Sequence, residues 1–110
     1  MNITDLYKGS LEAIVLQLIR QHEEMYGYEL TQKAKEISGG HLKITEGTLY
    51  PLLHKLEAEG TLSSELKPYG NRMRKYYRLT PSGTQEQENA SLSLQEYIGH
   101  LQQFLNPKLV

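Results

Sequence analysis

The chain has 110 residues, including 12 Lys or Arg, 13 Asp or Glu and no Cys, and its formal net charge is −1. This length predicts one domain, or one small domain with an appended helix. The absence of cysteine excludes disulfides and fits a reducing compartment. Residues 1–5 lack a signal-like pattern, and the longest apolar cluster, Ala13 to Leu16, is too short to cross a bilayer. We therefore expect a soluble, cytoplasmic protein that does not contact a membrane.

The first half of the chain has the apolar spacing of two helices. Ser10 is a candidate N-cap for the first, which we expect to end near Glu23 and whose apolar positions are Leu11, Ile14, Val15, Leu18 and Ile19. The second is predicted to start at Tyr26-Gly27-Tyr28 and to end at Gly39-Gly40, with Leu30, Ala34 and Ile37 on its apolar side. We expect Tyr28 to pack on the core and Tyr26 to stay accessible.

A third helix follows, anchored by Ile44, with an open outer face. Its buried stripe is predicted to hold Leu49, Leu52, Leu53 and Leu56, whereas Gly47, Pro51, His54 and Ala58 fall on the opposite side. The N-cap is either Thr45, which puts Pro51 inside the helix at the cost of one hydrogen bond, or Thr48, which puts it in the tolerated first turn. A helix with such small outward residues can approach the floor of a DNA major groove.

Two strands are predicted next, over Leu62 to Lys67 and Met73 to Thr80, joined by Pro68-Tyr69-Gly70-Asn71. Alternation places Met73, Lys75, Tyr77 and Leu79 mainly inward and Arg74, Tyr76 and Arg78 outward, with Arg78 expected to pair with an acid of its own subunit. Residues 67–78 carry five cations and no acid, whereas residues 81–110 carry three acids and one cation. This polarised charge gives the hairpin the positive field that attracts phosphate despite the near-neutral total.

The last helix is predicted to run from about Thr84 to Phe104 with a coiled-coil-like seam. The seam consists of Leu94, Ile98, Leu101 and Leu105, with Tyr97 and Phe104 beside it. A terminal helix with such a stripe needs a partner surface, so we expect it to form a dimer rather than to fold back. Leu6 and Tyr7 are expected to pack on the partner's last helix. The aromatic side chains there either border a cleft for a flat ligand or form plain core.

The predicted order is three helices, a two-stranded wing and a final helix, and three motifs lie within these elements. These motifs, followed by Gly83, are Tyr26-Gly27-Tyr28-Glu29-Leu30, Glu46-Gly47-Thr48-Leu49-Tyr50-Pro51 and Arg74-Lys75-Tyr76-Tyr77-Arg78-Leu79-Thr80. Over roughly residues 9–83 the chain resembles the phenolic acid decarboxylase regulator (PadR) family of bacterial transcriptional repressors. The short tail resembles the subfamily that includes sensors of drug-like compounds. Those sensors stack planar ligands on paired tryptophans, and this chain has no Trp.

The resemblance implies an α+β, mostly helical, winged helix-turn-helix fold. It implies a DNA-binding domain over residues 1–83 and a dimerisation helix over residues 84–110. It also implies a homodimer that represses transcription by binding a palindromic operator, and an effector, if one exists, that is a small aromatic or drug-like compound. The residues expected to contact DNA are Tyr26, Lys33, Glu46, Gly47, Thr48, Tyr50, His54, Lys55, Arg72, Arg74, Lys75 and Tyr76. Among the residues on the recognition helix, Tyr50 is the one that could instead have a purely structural role.

Other classes of function have little support in the sequence. The four histidines have no metal-ligand spacing, so we expect neither a metal nor a cofactor. There is no nucleophile elbow, phosphate-binding glycine loop or acid pair, so we do not expect an enzyme. The remaining alternative is a winged helix that binds another protein instead of DNA. That module would show no salt-dependent binding to duplex DNA.

Overall fold

The computed structural model describes residues 1–106, so residues 107–110 of the predicted dimerisation segment lie outside the described part. Five helices and three strands occur in this part. They are α1 (Ile3–Tyr7), α2 (Leu11–His22), β1 (Met25–Tyr26), α3 (Gly27–Ile37), α4 (Glu46–Ala58), β2 (Leu62–Tyr69), β3 (Arg72–Leu79) and α5 (Pro81–Leu105), with a 3₁₀ turn over Lys8–Ser10. The fold is mostly helical with one small antiparallel sheet, as predicted.

One hydrophobic core joins α2, α3 and α4 to the sheet. Its fully buried side chains include Val15, Leu16, Ile19, Met25, Leu30, Leu49, Leu53, Leu62 and Tyr77. The expected anchor before α4, Ile44, is buried as well. One predicted core residue of α3 is wrong: Ile37 is exposed, because α3 ends there and Gly39 and Gly40 turn the chain with positive φ angles of 63° and 88°.

The sheet has the strand order β1-β3-β2 and is antiparallel throughout. The two-residue strand β1 was not predicted, since it is too short to show alternation; it places Met25 opposite Tyr77 and Tyr26 opposite Tyr76. The wing hairpin is longer than expected, because Pro68 and Tyr69 belong to β2 and only Gly70-Asn71 form the turn. Proline is tolerated here because β2 is an edge strand. Gly70 has a φ of 59°, which suits glycine in such a tight turn.

Helix α5 starts three residues earlier than predicted. Thr80 is its N-cap, with Oγ1 accepting a hydrogen bond from the Gly83 N–H at 3.0 Å, and Pro81 occupies the first turn. Gly83 lies so close to the neighbouring chain that a Cβ there would be 1.9 Å from the Thr61 carbonyl oxygen. The residues that follow β3 therefore begin the helix, and Gly83 packs it against Thr61 in the segment after α4.

The first half of α5 packs on α2 through a buried polar contact. Gln87 is buried, donates to Gln17 Oε1 at 2.7 Å and accepts from Arg20 at 3.1 Å. The second half extends beyond the domain and contributes to overall dimensions of 63 × 30 × 20 Å. Within residues 1–106, no helix combines the length and the apolar character needed to span a bilayer.

Candidate nucleic-acid interface

Helix α4 presents one side to solvent along its whole length. Leu49, Leu53 and Leu56 face the core. The exposed residues are Glu46, Gly47, Thr48, Tyr50, Pro51, His54, Lys55 and Ala58. A Cβ added at Gly47 would have no atom within 4 Å, so the first turn is open to a close approach. The outer face that the sequence predicted is therefore present.

The start of α4 settles the question of its N-cap. Thr45 is the cap residue, although its Oγ1 bonds the Thr48 hydroxyl at 3.1 Å instead of a backbone N–H. Pro51 thus lies inside the helix. Because proline has no N–H, the Gly47 carbonyl lacks its usual intrahelical donor. Gly47 is exposed and neighbours other residues predicted to approach DNA.

Tyr50 connects α4 to the beginning of α3. Its hydroxyl would lie 2.6 Å from a Cβ at Gly27, so the ring can rest there only because residue 27 is glycine. The side chain remains 36% exposed, and its ring centroid is 6.4 Å from that of His54. Tyr50 consequently has both a packing role and an accessible edge. By contrast, Tyr28 is 63% exposed, which contradicts the expectation that it packs on the core.

A groove of about 370 Å³ separates α4 from the wing. The side chains that line it come from the start of α3, from α4 and from β3, namely Tyr26, Gly27, Tyr28, Tyr50, His54, Met73, Arg74, Lys75 and Tyr77. The outer face of α4 and the wing therefore border one concave surface. The expectation that Met73 points mainly inward is wrong, since it is 57% exposed where the hairpin overhangs the core.

Three of the five wing cations are compensated by acids of the same chain. Glu24 lies 2.6 Å from Lys67 and 2.8 Å from Arg78, which confirms the expected internal partner of Arg78. The hydrogen bond from Lys67, followed by that from Arg78, lowers the pKa of Glu24 below its usual value. Lys75 lies 3.1 Å from Glu57 of α4. The sequence missed both acids because each lies outside the basic segment.

Glu57 also connects α4 to the two strands of the wing. Its carboxylate accepts a hydrogen bond from the Ser64 hydroxyl of β2 in addition to the contact with Lys75 of β3. The Ser64 bond first, and Lys75 second, lower the pKa of Glu57. One side chain of α4 therefore contacts both strands of the wing. This arrangement fixes the orientation of the wing relative to α4.

The remaining two wing cations, Arg72 and Arg74, have no carboxylate within 4 Å among residues 1–106. Arg72 is exposed beside the turn. The Arg74 guanidinium carbon lies 3.1 Å from the Tyr69 ring centroid and 4.2 Å from that of Tyr26. Tyr26 in turn meets the edge of Tyr76, with centroids 5.5 Å apart. Sequence reasoning missed Tyr69, which was assigned to a turn.

The other predicted DNA-contacting lysines lie in ion pairs within the chain. Lys33 is 3.6 Å from Glu36 on the same helix. Lys55 is 3.3 Å from Glu12 of α2 and 3.8 Å from Glu59, and these acids raise its pKa, Glu12 most. The ammonium of Lys55 is thus held on the side of α4 that faces α2.

The residues predicted to form a dimer interface are largely uncovered. Tyr7 and Leu94 are half-buried, and the others are exposed: Leu6, Tyr97, Ile98, Leu101, Phe104 and Leu105. A cavity of about 470 Å³ lies next to this surface, between α2, the end of α3 and α5. Tyr7, Ile14, Leu94 and Ile98 line both this cavity and a second one on the α1 side.

The fold and the surface together define a winged helix-turn-helix protein, in which α4 and the hairpin border a single groove. The family model described as "Transcriptional regulator PadR-like family" matches residues 15–89. The chain belongs to this family and is a PadR-type transcriptional regulator. Members of the family regulate transcription by binding DNA and are not enzymes, which confirms that expectation.

Individual relatives agree with this assignment. The chain is 47% identical over 60 residues to "Transcriptional regulator Rv3488" of Mycobacterium tuberculosis, covering 54% of this chain and 53% of that protein. It therefore spans about half the length of that relative. A PadR-like transcriptional regulator from Bacillus cereus has a TM-score of 0.80 at 31% identity, over 94% of this chain and 99% of the other. Bacillus subtilis PadR, solved in complex with operator DNA, has a TM-score of 0.65 at 34% identity, over 72% and 45%.

Proposed function

We propose that the chain is a dimeric repressor that places α4 in the major groove of a palindromic operator and the wing on the adjacent backbone. Support comes from one observation above all: the open face of α4 and the uncompensated Arg74 border the same groove. Bacillus subtilis PadR was solved in complex with operator DNA, which supports duplex DNA as the partner. The recognition surface comprises Gly47, Thr48, Tyr50 and His54, with Glu46 at its start and Tyr26 and Tyr76 beside Arg74.

Phosphate contacts are assigned to Arg72 and Arg74 before Lys33, Lys55 and Lys75, since the lysines already lie in ion pairs. Fluorescence anisotropy with DNA from upstream of this gene, titrated with salt, tests the assignment. Removing both arginines should lower the salt slope by about 2 per protomer, or about 4 for a dimer. Lys75→Met should lower stability and leave the slope unchanged. Lys8→Ala is a control for net charge, because Lys8 does not line the groove.

Binding of the wild type that is independent of salt, or an absence of binding to any duplex, would contradict the proposal. In the latter case the winged helix would be a protein-binding module, the alternative considered from the sequence. A slope that falls for Lys75→Met but not for Arg72→Ala/Arg74→Ala would move the phosphate contact to the other face of the wing.

The dimer is assigned to the second half of α5 together with α1. Its apolar side chains are exposed in one protomer, and Phe104 is 83% exposed. A second copy would cover this stripe and set the distance between the two α4 helices at about 34 Å, one turn of duplex. Ile98→Asp/Leu101→Asp should sediment as a monomer. Leu92→Asp is the matched control, because Leu92 is exposed and lies roughly 150° around α5 from the stripe. A dimer that survives the first pair, or is lost in the control, would place the interface elsewhere.

The cavity between α2, α3 and α5 is the proposed site for a small aromatic effector. Its volume of about 470 Å³ lies within the range of small-molecule sites, and it adjoins the proposed interface. A ligand that binds better to a dimer with the wrong helix spacing would release DNA by that difference in affinity. Planar phenolic acids, added during the anisotropy titration, should weaken operator binding. Phenolic acids that bind the protein without changing its affinity for DNA would contradict this part of the proposal.

A further inference from the structure

Arg74 lies between two aromatic rings that come from opposite sides of its strand. The sheet order is β1-β3-β2, so the central strand β3 carries Arg74 while Tyr26 stands on β1 and Tyr69 on β2. Both rings lie within 4.2 Å of the guanidinium carbon. A planar guanidinium confined by two rings this close has little freedom to turn, and its N–H edge remains for polar contacts. That edge donates hydrogen bonds in a fixed fork.

The arrangement differs from that of the compensated wing cations. Lys67, Lys75 and Arg78 each contact a carboxylate of their own chain. Arg74 has no such contact among residues 1–106, and it is also half-buried, whereas Arg72 is exposed. Its positive charge is therefore uncompensated and at the same time held in place. A cation kept only for solubility needs no such confinement, because its side chain gains entropy by moving freely.

We propose that Tyr69 is a positioning residue that holds the edge of the Arg74 guanidinium ready for a bidentate contact with one DNA phosphate. Arg74 then loses little side-chain freedom when DNA binds, so the contact contributes more of its free energy to affinity. The contribution of Tyr69 is through Arg74 and needs the ring, not the hydroxyl. A bidentate Arg–phosphate contact also has a geometry that lysine cannot reproduce. This inference rests on the proposed DNA-binding function.

A double-mutant cycle on operator DNA tests the proposal. Tyr69→Leu should weaken binding by about three- to tenfold per protomer, the cost of immobilising one long side chain, and should leave the salt slope unchanged because the phosphate contact still forms. Tyr69→Phe should bind like the wild type. Arg74→Ala should lower the slope by about 1 per protomer, and Arg74→Lys should lose affinity while keeping the slope. In the Arg74→Ala background, Tyr69→Leu should have no further effect.

The outcomes separate this inference from the proposed function. Equal losses for Tyr69→Leu with and without Arg74 would show that Tyr69 only supports the hairpin, and would overturn the proposal. So would a Tyr69→Phe variant as weak as Tyr69→Leu, which would make the hydroxyl itself the contact. An Arg74→Ala variant with wild-type affinity and slope would overturn it while leaving DNA binding intact. A wild type that binds no duplex would instead remove the proposed function, and this inference with it.

Discussion

The close approach of Gly83 to Thr61 predicts a large loss of stability for Gly83→Ala. The added Cβ would lie 1.9 Å from the Thr61 carbonyl oxygen, whereas real Cβ contacts are essentially never below 3.0 Å, so the two must separate by 1.1 Å. That carbonyl accepts hydrogen bonds from the Thr80 N–H at 3.1 Å and from Thr80 Oγ1 at 3.2 Å. Overpacking costs about 1–3 kcal/mol and a disturbed cap costs about 1 kcal/mol. The better helix propensity of Ala offsets about 1 kcal/mol of this loss. We expect a net loss of about 1–3 kcal/mol, and a fall in Tm on the order of 10 °C.

The same helix supplies a matched control. Gly99 also lies inside α5, but a Cβ there would have no atom within 4 Å, and it falls roughly 130° from the apolar stripe. Gly99→Ala should therefore stabilise the protein by about 0.5–1 kcal/mol. Urea unfolding followed by circular dichroism measures the stability of both variants. The protein concentration is kept the same throughout, because the stability of a dimer depends on it. If Gly83→Ala were neutral or stabilising like its control, the packing of α5 against Thr61 would be wrong.

Two further predictions concern Gly27, which contacts Tyr50, and Glu57, which connects α4 to the wing. Gly27→Ala should weaken operator binding with little change in Tm, because a methyl group 2.6 Å from the Tyr50 hydroxyl displaces that flexible ring. Unchanged anisotropy titrations would show that the position of Tyr50 does not affect the affinity for DNA. Glu57→Gln should flatten the loss of stability on acidification. The pKa of Glu57 is lowered from 4.5 in the folded state. Below pH 4.5 the unfolded chain therefore binds more protons than the folded chain. The stability that the Glu57 carboxylate contributes above pH 4.5 is lost as the pH falls. Urea midpoints of both proteins on either side of pH 4.5 test this, and parallel curves would assign the acid dependence to other groups.

The elements that the sequence predicted well are those with several turns of regular spacing. Helices α2, α3 and α4 each repeat apolar residues on one face, so their existence could be read directly, and so could their buried sides apart from Tyr28 and Ile37 of α3. The open face of α4 followed from the same spacing. The other errors lie at short or overhanging pieces: β1 has two residues, and Met73 alternates correctly along its strand but lies beyond the core that would bury it.

The sequence by itself determined the order of helices and wing and the family, because periodic burial and short motifs are local properties of the chain. It did not determine which cations remain uncompensated. Glu24 and Glu57 lie 43 and 18 positions away from Lys67 and Lys75, and no local pattern links such pairs. Only the tertiary structure brings those acids to the hairpin and leaves Arg72 and Arg74 without acidic partners among residues 1–106. Whether a charge is compensated depends on which residues are close in space, whereas helical spacing depends only on position along the chain.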